Sequence, residues 1–166
     1  MTRFIGIVVI AVGISGCTGE SPSSPTPGVV VPLTRFTTEP SSFLYFSGLN
    51  IPARLVVDDQ STWRAVWSDM YGRVSEVPPV PDIDFSKEEI LVAALGTRGS
   101  SGYSIVFQGA SGNDSGGADV VVKSGSPGKG CAALTVLTQP VDIARIPKVS
   151  GAIHFVERAS VSNCGQ

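Results

Sequence analysis

Apolar and polar positions alternate along this chain in short runs, and turn residues separate them. Val29 to Val31, Ala53 to Val57, Tyr103 to Phe107, Asp119 to Lys123, Ala132 to Leu137, Val141 to Ile146 and Ala152 to Glu157 each have strand length and β-branched or aromatic content. Pro32 separates Val29–Val31 from Arg35 to Thr38, which predicts an edge strand. Phe43 to Phe46 is a short apolar knot. Ile90 to Leu95 is apolar without interruption, the pattern of a strand covered on both faces. Gly96 to Gly102 breaks this run, and Tyr103 to Phe107 is expected to return beside it as an antiparallel strand.

One segment has a different period. Trp63, Val66, Trp67 and Met70 fall at i, i+3, i+4 and i+7, which predicts a helix over Thr62 to Tyr71 with both indoles on the face packed against the sheet. Ser61 is the expected N-cap and Gly72 the expected stop. A second capping pattern, Ser86 with Glu89, predicts a single turn ahead of Ile90. Val77 to Pro81 reads as a rigid extended connector, and Gly109 to Gly117 and Ser124 to Gly130 read as turns. The expected architecture is therefore α+β and β-rich: a mainly antiparallel sheet or sandwich with one packed helix.

The first residues carry a different message. Arg3 precedes the apolar run Phe4 to Gly13, and Ile14-Ser15-Gly16-Cys17 follows. This is the order of a signal peptide, and the run is too short to cross a bilayer. Ile14-Ser15-Gly16-Cys17 resembles the bacterial lipobox, which implies that Cys17 is acylated and becomes the first residue of the mature chain. Several acyl chains on one residue give stable membrane attachment. Thr18 rather than Asp follows Cys17, which favours the outer membrane where there is one. Polar, Pro- and Ser-rich residues come next. The expected division is a signal peptide at 1–16, a flexible lipid-anchored tether at 17–28 and one β-rich domain at 29–166, held in the cell envelope with the domain in the periplasm or at the surface.

Composition narrows the function classes. Of 166 residues, 42% are hydrophobic and 16% charged, enough apolar content for a core. Removing residues 1–16 takes only Arg3 from the 12 Lys+Arg and leaves 14 Asp+Glu, a formal charge of −3. With no basic cluster, nucleic acid is not an expected partner. Cys131 and Cys164 remain as an even pair in an exported chain and are expected to form a disulfide. A single histidine, His154, argues against a metal centre, and no cofactor is expected. Asn113 to Gly116 lacks the alternating acidic ligands of a calcium loop.

No nucleophile elbow, zinc-protease motif or phosphate loop occurs. Asp82 and Asp84 can be drawn as an acid and base, and a capping role for one of them explains the pair equally well. A non-catalytic protein is therefore expected. A small secreted hydrolase using His154 with a serine or aspartate is one alternative. A small-ligand module with an aromatic patch at Tyr103 or Trp63 is another.

A wider pattern resembles a known family. The helix with Trp63 and Trp67, Pro81 to Lys87, Gly96 to Gly102 with Tyr103-Ser104-Ile105, Pro127-Gly128 before Cys131, and Thr138-Gln139-Pro140 are together similar to the PrcB C-terminal domain. The resemblance runs from about Arg54 to Val156. It implies an envelope-attached accessory domain that binds and stabilises a partner protein, a protease in that family. It brings no catalytic residues. Asp84, Phe85, Gly102 and Tyr103 match the family pattern as positions and as possible binding residues.

Overall fold

The computed structural model describes residues 22, 24–36 and 43–164. The expected signal peptide, Cys17 and half of the expected tether lie outside the described residues. The elements in chain order are β1 (Val30–Val31), β2 (Thr34–Arg35), β3 (Phe43–Leu44), β4 (Ala53–Val57), α1 (Gln60–Met70), β5 (Glu88–Ala94), β6 (Ser104–Gly112), β7 (Ala118–Pro127), β8 (Val141–Pro147) and β9 (Ile153–Ser162). They form two sheets. One has the order β1-β6-β7-β9, the other β2-β8-β5-β4 with β3 also on β8. Among the described residues, named strands pair antiparallel except β7 and β9, which run parallel from Ala118↔Ile153 to Pro127↔Ser162. The α+β, β-rich class expected from the sequence is the class observed.

The central strand explains the unbroken apolar run. Leu91, Ala93 and Leu95 face the other sheet, where they meet Ile105, Phe107, Ala110, Val120 and Val122. Ile90, Val92 and Ala94 face the opposite way, against Trp63, Trp67 and Met70 of α1. Three layers result: sheet, sheet and helix. A strand buried on both faces has no solvent side to mark with polar residues.

The expected neighbour of β5 is not β6. The edges of β5 are occupied by β4, from Ala53↔Ala94 to Val57↔Ile90, and by β8, from Glu88↔Pro147 to Ala94↔Val141. The connection from Leu95 to Tyr103 is longer than the two- to five-residue loops typical of hairpins, and it crosses to the other sheet. There β6 pairs with β7 and β1.

Other expectations are corrected in detail. Ser124 to Pro127 continues β7 instead of turning, because β6 and β9 flank it with Gly125 opposite both Ser104 and Ser160. Gly109 to Gly112 likewise belongs to β6, past a register shift between Phe107 and Gly109. Ala132 to Leu137 forms no strand and lies exposed on the surface, its apolar side chains facing outward.

Asp59, not Ser61, caps α1. Its carboxylate accepts from the Ser61 and Thr62 amides at 2.8 and 3.0 Å and from both hydroxyls, so Ser61 becomes a first-turn residue. The helix ends at Met70 with Tyr71 as C-cap, and Gly72 does not take the left-handed conformation. Ahead of β5, Asp84 is the acceptor that Ser86 was expected to supply: it takes the Ser86 amide at 3.1 Å, while Glu89 is buried in the strand. In both places a carboxylate offers a stronger acceptor than the hydroxyl two residues later.

The hydroxyls and amides around Asp59 hold its carboxyl well below the ordinary value of 3.8. A carboxyl lowered in the fold contributes stability above its unfolded pKa, and that contribution is lost as pH falls towards the folded value. Asp59→Asn is therefore expected to lower the urea midpoint at pH 7 and to flatten the loss of stability below about pH 4. A parallel acid limb for wild type and variant would count against this role.

The indole N–H groups on α1 are satisfied by the proline-rich connector. Trp63 donates to the Pro81 carbonyl at 3.1 Å and Trp67 to the Pro78 carbonyl at 2.9 Å. The two rings pack edge to face with centroids 5.1 Å apart. The connector therefore does more than space two elements; its carbonyls reach the buried indoles of the helix and let two polar groups stay buried.

One buried charge sits between the sheets. Asp142 on β8 is fully buried and accepts from Arg35 Nε at 3.1 Å, Arg35 Nη2 at 2.7 Å and the Phe107 amide at 2.7 Å. The Phe107 amide lies where β6 shifts register against β7, so the carboxylate fills the place of a ladder acceptor.

Candidate interaction surface

The strand directions sort the loops into two poles. At one pole β5 ends and β4, β6 and β8 begin, while β7 and β9 finish. This brings together Tyr45–Pro52, Leu95–Tyr103, the segment from Gly128 to Gln139, and the end of β9 with Cys164. The other pole holds the β6–β7 turn, the β8–β9 loop and the entry of the chain, where Gly28 donates to the Gly112 carbonyl at 2.8 Å and Ser24 pairs with Ser150. The N-terminal side of the chain thus meets the fold at the end opposite the first set of loops.

The first pole is apolar where it meets water. Leu134 is 73% exposed, Leu137 61%, Val161 64%, Phe46 56% and Ile51 78%. Hydrogen bonds brace the backbone that carries Leu134 and Leu137 without burying their side chains. Ser101 donates its amide to the Leu134 carbonyl at 3.0 Å and accepts the Leu134 amide on its hydroxyl at 2.9 Å. Arg98 and Thr138 exchange backbone bonds of 2.8 and 3.0 Å, and Thr138 Oγ1 donates to the Ser100 carbonyl at 3.0 Å. Gly99 to Gly102 is thus a clamp for the 131–138 segment as well as a turn. The Cys131–Cys164 disulfide, with Cα atoms 4.6 Å apart, ties the start of that segment to the end of β9. Exposed apolar side chains on a restrained backbone are the makings of a protein-binding patch.

Two glycines are required here. Gly96 has φ +71°, and a Cβ would lie 2.7 Å from Pro52. Gly102 has φ +90° and packs on Pro127. Both positions sit where the chain leaves one sheet for the other, in a backbone conformation that a side chain disfavours.

Beside the patch is a cleft of about 160 Å³ between the ends of the sheets, lined among others by Leu95, Arg98, Tyr103, Ser126, Ala159 and Val161. The Arg98 guanidinium lies 5.7 Å from the centre of the Tyr103 ring. Its Nε is buried without a hydrogen-bond partner, and Gln139 Oε1, next to the Thr138 that pairs with Arg98, shares that condition among the described residues.

The positions singled out from sequence do not form one site. Gly102 and Tyr103 are at the apolar pole, whereas Asp84 and Phe85 precede β5 and so lie beyond its other end. Asp84 is occupied by its own turn, with Lys87 Nζ at 3.5 Å, and its carboxyl is held low chiefly by the Ser86 hydroxyl. Phe85 is partly buried against the helix side of the core. Trp63 is completely buried and presents no ligand face.

His154 stands on exposed β9 with Asp119 Oδ1 at 3.4 Å from Nδ1. Asp119 also accepts from Asn113 Nδ2 at 3.2 Å, and that amide's oxygen takes the Ser115 and Gly117 amides. Asn113 thereby holds the β6–β7 turn. Among the described residues no three His, Cys, Asp or Glu side chains gather as metal ligands. No described helix is long and apolar enough to cross a membrane.

The exposed segment 132–137 reads as a strand in the sequence because of its apolar and β-branched composition. The signal that separates the two is local: Cys131 fixes one end, and Thr138-Gln139-Pro140 stops the run at the other.

Residues 90–147 match the family model described as PrcB C-terminal. The match spans β5 to β8 and contains the Gly96–Tyr103 connection and the whole 131–138 segment. Asp84 and Phe85 fall outside it. No curated protein and no solved structure matches the chain.

Proposed function

We propose, from the similarity of residues 90–147 to the PrcB C-terminal family, that this protein is a non-catalytic accessory module that binds and stabilises a partner protein, a protease, at the bacterial cell envelope. The observation that carries the reading is the exposed apolar pole built around Leu134, Leu137, Val161 and Phe46. That patch lies at the end away from Gly28, so a tether acylated at Cys17 would hold the domain to a membrane and leave the apolar end facing outward. Apolar side chains on a braced backbone suit association, because little conformational entropy is left to lose on binding.

Site-specific photo-cross-linking in the native envelope tests this. A cross-linker at Leu134 or Phe46 is expected to trap one protease, and one at His154 to trap none. Leu134→Asp with Leu137→Asp should abolish the cross-link from Phe46 without lowering the melting temperature, since neither side chain is buried. Cys17→Ser should move the protein out of the membrane fraction. A protein that stays with the membrane would remove the lipid anchor from the proposal, and the absence of any protease from the apolar-pole cross-links would remove the accessory role.

A further inference from the structure

We propose that the cleft beneath Arg98 is a carboxylate-binding subsite that receives the carboxyl group of an extended segment of the partner. The inference rests on the reading of this pole as the interaction end, and it names the chemistry recognised there. Four observations lead to it.

First, Arg98 Nε is a buried donor without a partner. Buried donors of this kind are nearly always satisfied by protein, water or ligand. Second, the cleft lining includes Leu95, Tyr103, Ser126, Ala159 and Val161 and contains no acidic side chain. Arg35, Arg54 and Arg145 each have a carboxylate within 3.5 Å, whereas no described carboxylate lies within ion-pair reach of Arg98.

Third, Tyr103 backs the guanidinium, and the Arg98–Thr138 backbone pair fixes its base. A guanidinium held in this way presents its planar fork to a planar carboxylate, and the apolar floor suits the aliphatic carbon that carries such a group. Fourth, β9, which lines the cleft with Ala159 and Val161, is the last strand of its sheet. An extended chain can pair along such an edge.

The test follows the Arg98 Nε–Hε resonance of the ¹⁵N-labelled full-length protein in detergent, with N-acetylvaline, N-acetylvaline amide, N-acetylaspartic acid α-amide and inorganic phosphate as probes. N-acetylvaline is expected to shift the resonance saturably, and its amide to leave it in place. A shift with N-acetylvaline stronger than that with the aspartic acid probe identifies a chain terminus as the ligand; the reverse order identifies an acidic side chain. Binding followed on neighbouring backbone amides should weaken by about tenfold or more in Arg98→Gln and be partly retained in Arg98→Lys. Ala159→Leu, which fills the cleft from β9, should block binding with the melting temperature unchanged.

A resonance that ignores every carboxylate overturns the proposal, and so does phosphate binding as tightly as the carboxylates. Carboxylate binding without a protease in the cross-links would leave the subsite standing and remove the accessory role. A trapped protease with an unresponsive Arg98 would do the opposite.

Discussion

Asp142→Ala is expected to cost about 3 kcal/mol of folding stability, the largest loss from any single polar side chain described here. The carboxylate is fully buried and is shared by Arg35, at 2.7 and 3.1 Å, and by the Phe107 amide, at 2.7 Å. Truncation leaves that amide buried with no acceptor where β6 departs from regular pairing with β7. Arg35 loses less, because its side chain is 39% exposed and can turn to water. A loss of this size should lower the melting temperature by roughly 10 °C in a domain of this length. Urea titration of wild type and variant measures it, and a loss below about 1 kcal/mol would show that the pair is dispensable.

The same residue gives a pH signature of defined sign. Burial raises the Asp142 carboxyl above its ordinary 3.8, against the lowering effects of Arg35 and the Phe107 amide. The folded protein therefore holds that proton more tightly than the unfolded chain does. Its contribution is least favourable above the raised folded pKa and grows as pH falls through it towards the unfolded value, the reverse of Asp59. Arg35→Met removes one lowering influence and should widen this window. The variant is expected to lose stability at pH 7 and to recover part of it at mildly acidic pH. A pH-independent penalty would contradict the assignment.

Reduction of the Cys131–Cys164 disulfide is expected to cost about 3–4 kcal/mol, the loop-closure value for a separation of 33 residues. The effect should be local as well as global. The cross-link joins the Gly128–Gln139 segment to the end of β9, so its loss frees the backbone that presents Leu134 and Leu137. Hydrogen exchange at 132–137 should rise more than exchange in β5, and the proposed partner binding should weaken under reducing conditions even where the protein is still folded. Cys131→Ser with Cys164→Ser gives the same state without reductant. An unchanged urea midpoint and unchanged exchange at 132–137 would sink the idea that this bond braces the surface.

Much of the frame was legible in the residues because it depends on short-range patterns. The 3.6-residue spacing of Trp63, Val66, Trp67 and Met70 sets the buried face of α1, and the unbroken Ile90–Leu95 run records a strand covered on two sides. The parity of cysteines, in a chain whose first residues read as an export signal, gives Cys131–Cys164. Gly96 to Gly102 reads correctly as the break after β5. Capping was legible only in part: Asp59 and Asp84 win over Ser61 and Ser86 because charge strengthens the acceptor, a competition between neighbours that a motif search does not resolve.

Strand partnership was the larger omission. Both β4 and β8 offer apolar faces to β5, and nothing local to Tyr103–Phe107 says that these two will take the edges first. The parallel pairing of β7 with β9 is equally hidden, since it follows from two strands meeting after an excursion through β8 in the other sheet.

By itself, the sequence determined the β-rich class with its one helix, the double-sided burial of β5 and the cysteine pair, because periodicity, β-branching and residue parity act over a few positions or on composition alone. Only the tertiary structure decided that 132–137 is an exposed, braced segment, that Asp142 locks Arg35 to Phe107, and that Arg98 and Tyr103 meet the end of β9 in a cleft. Each of these depends on which distant backbones approach one another, and hydrophobic pattern specifies which face is buried without specifying what buries it.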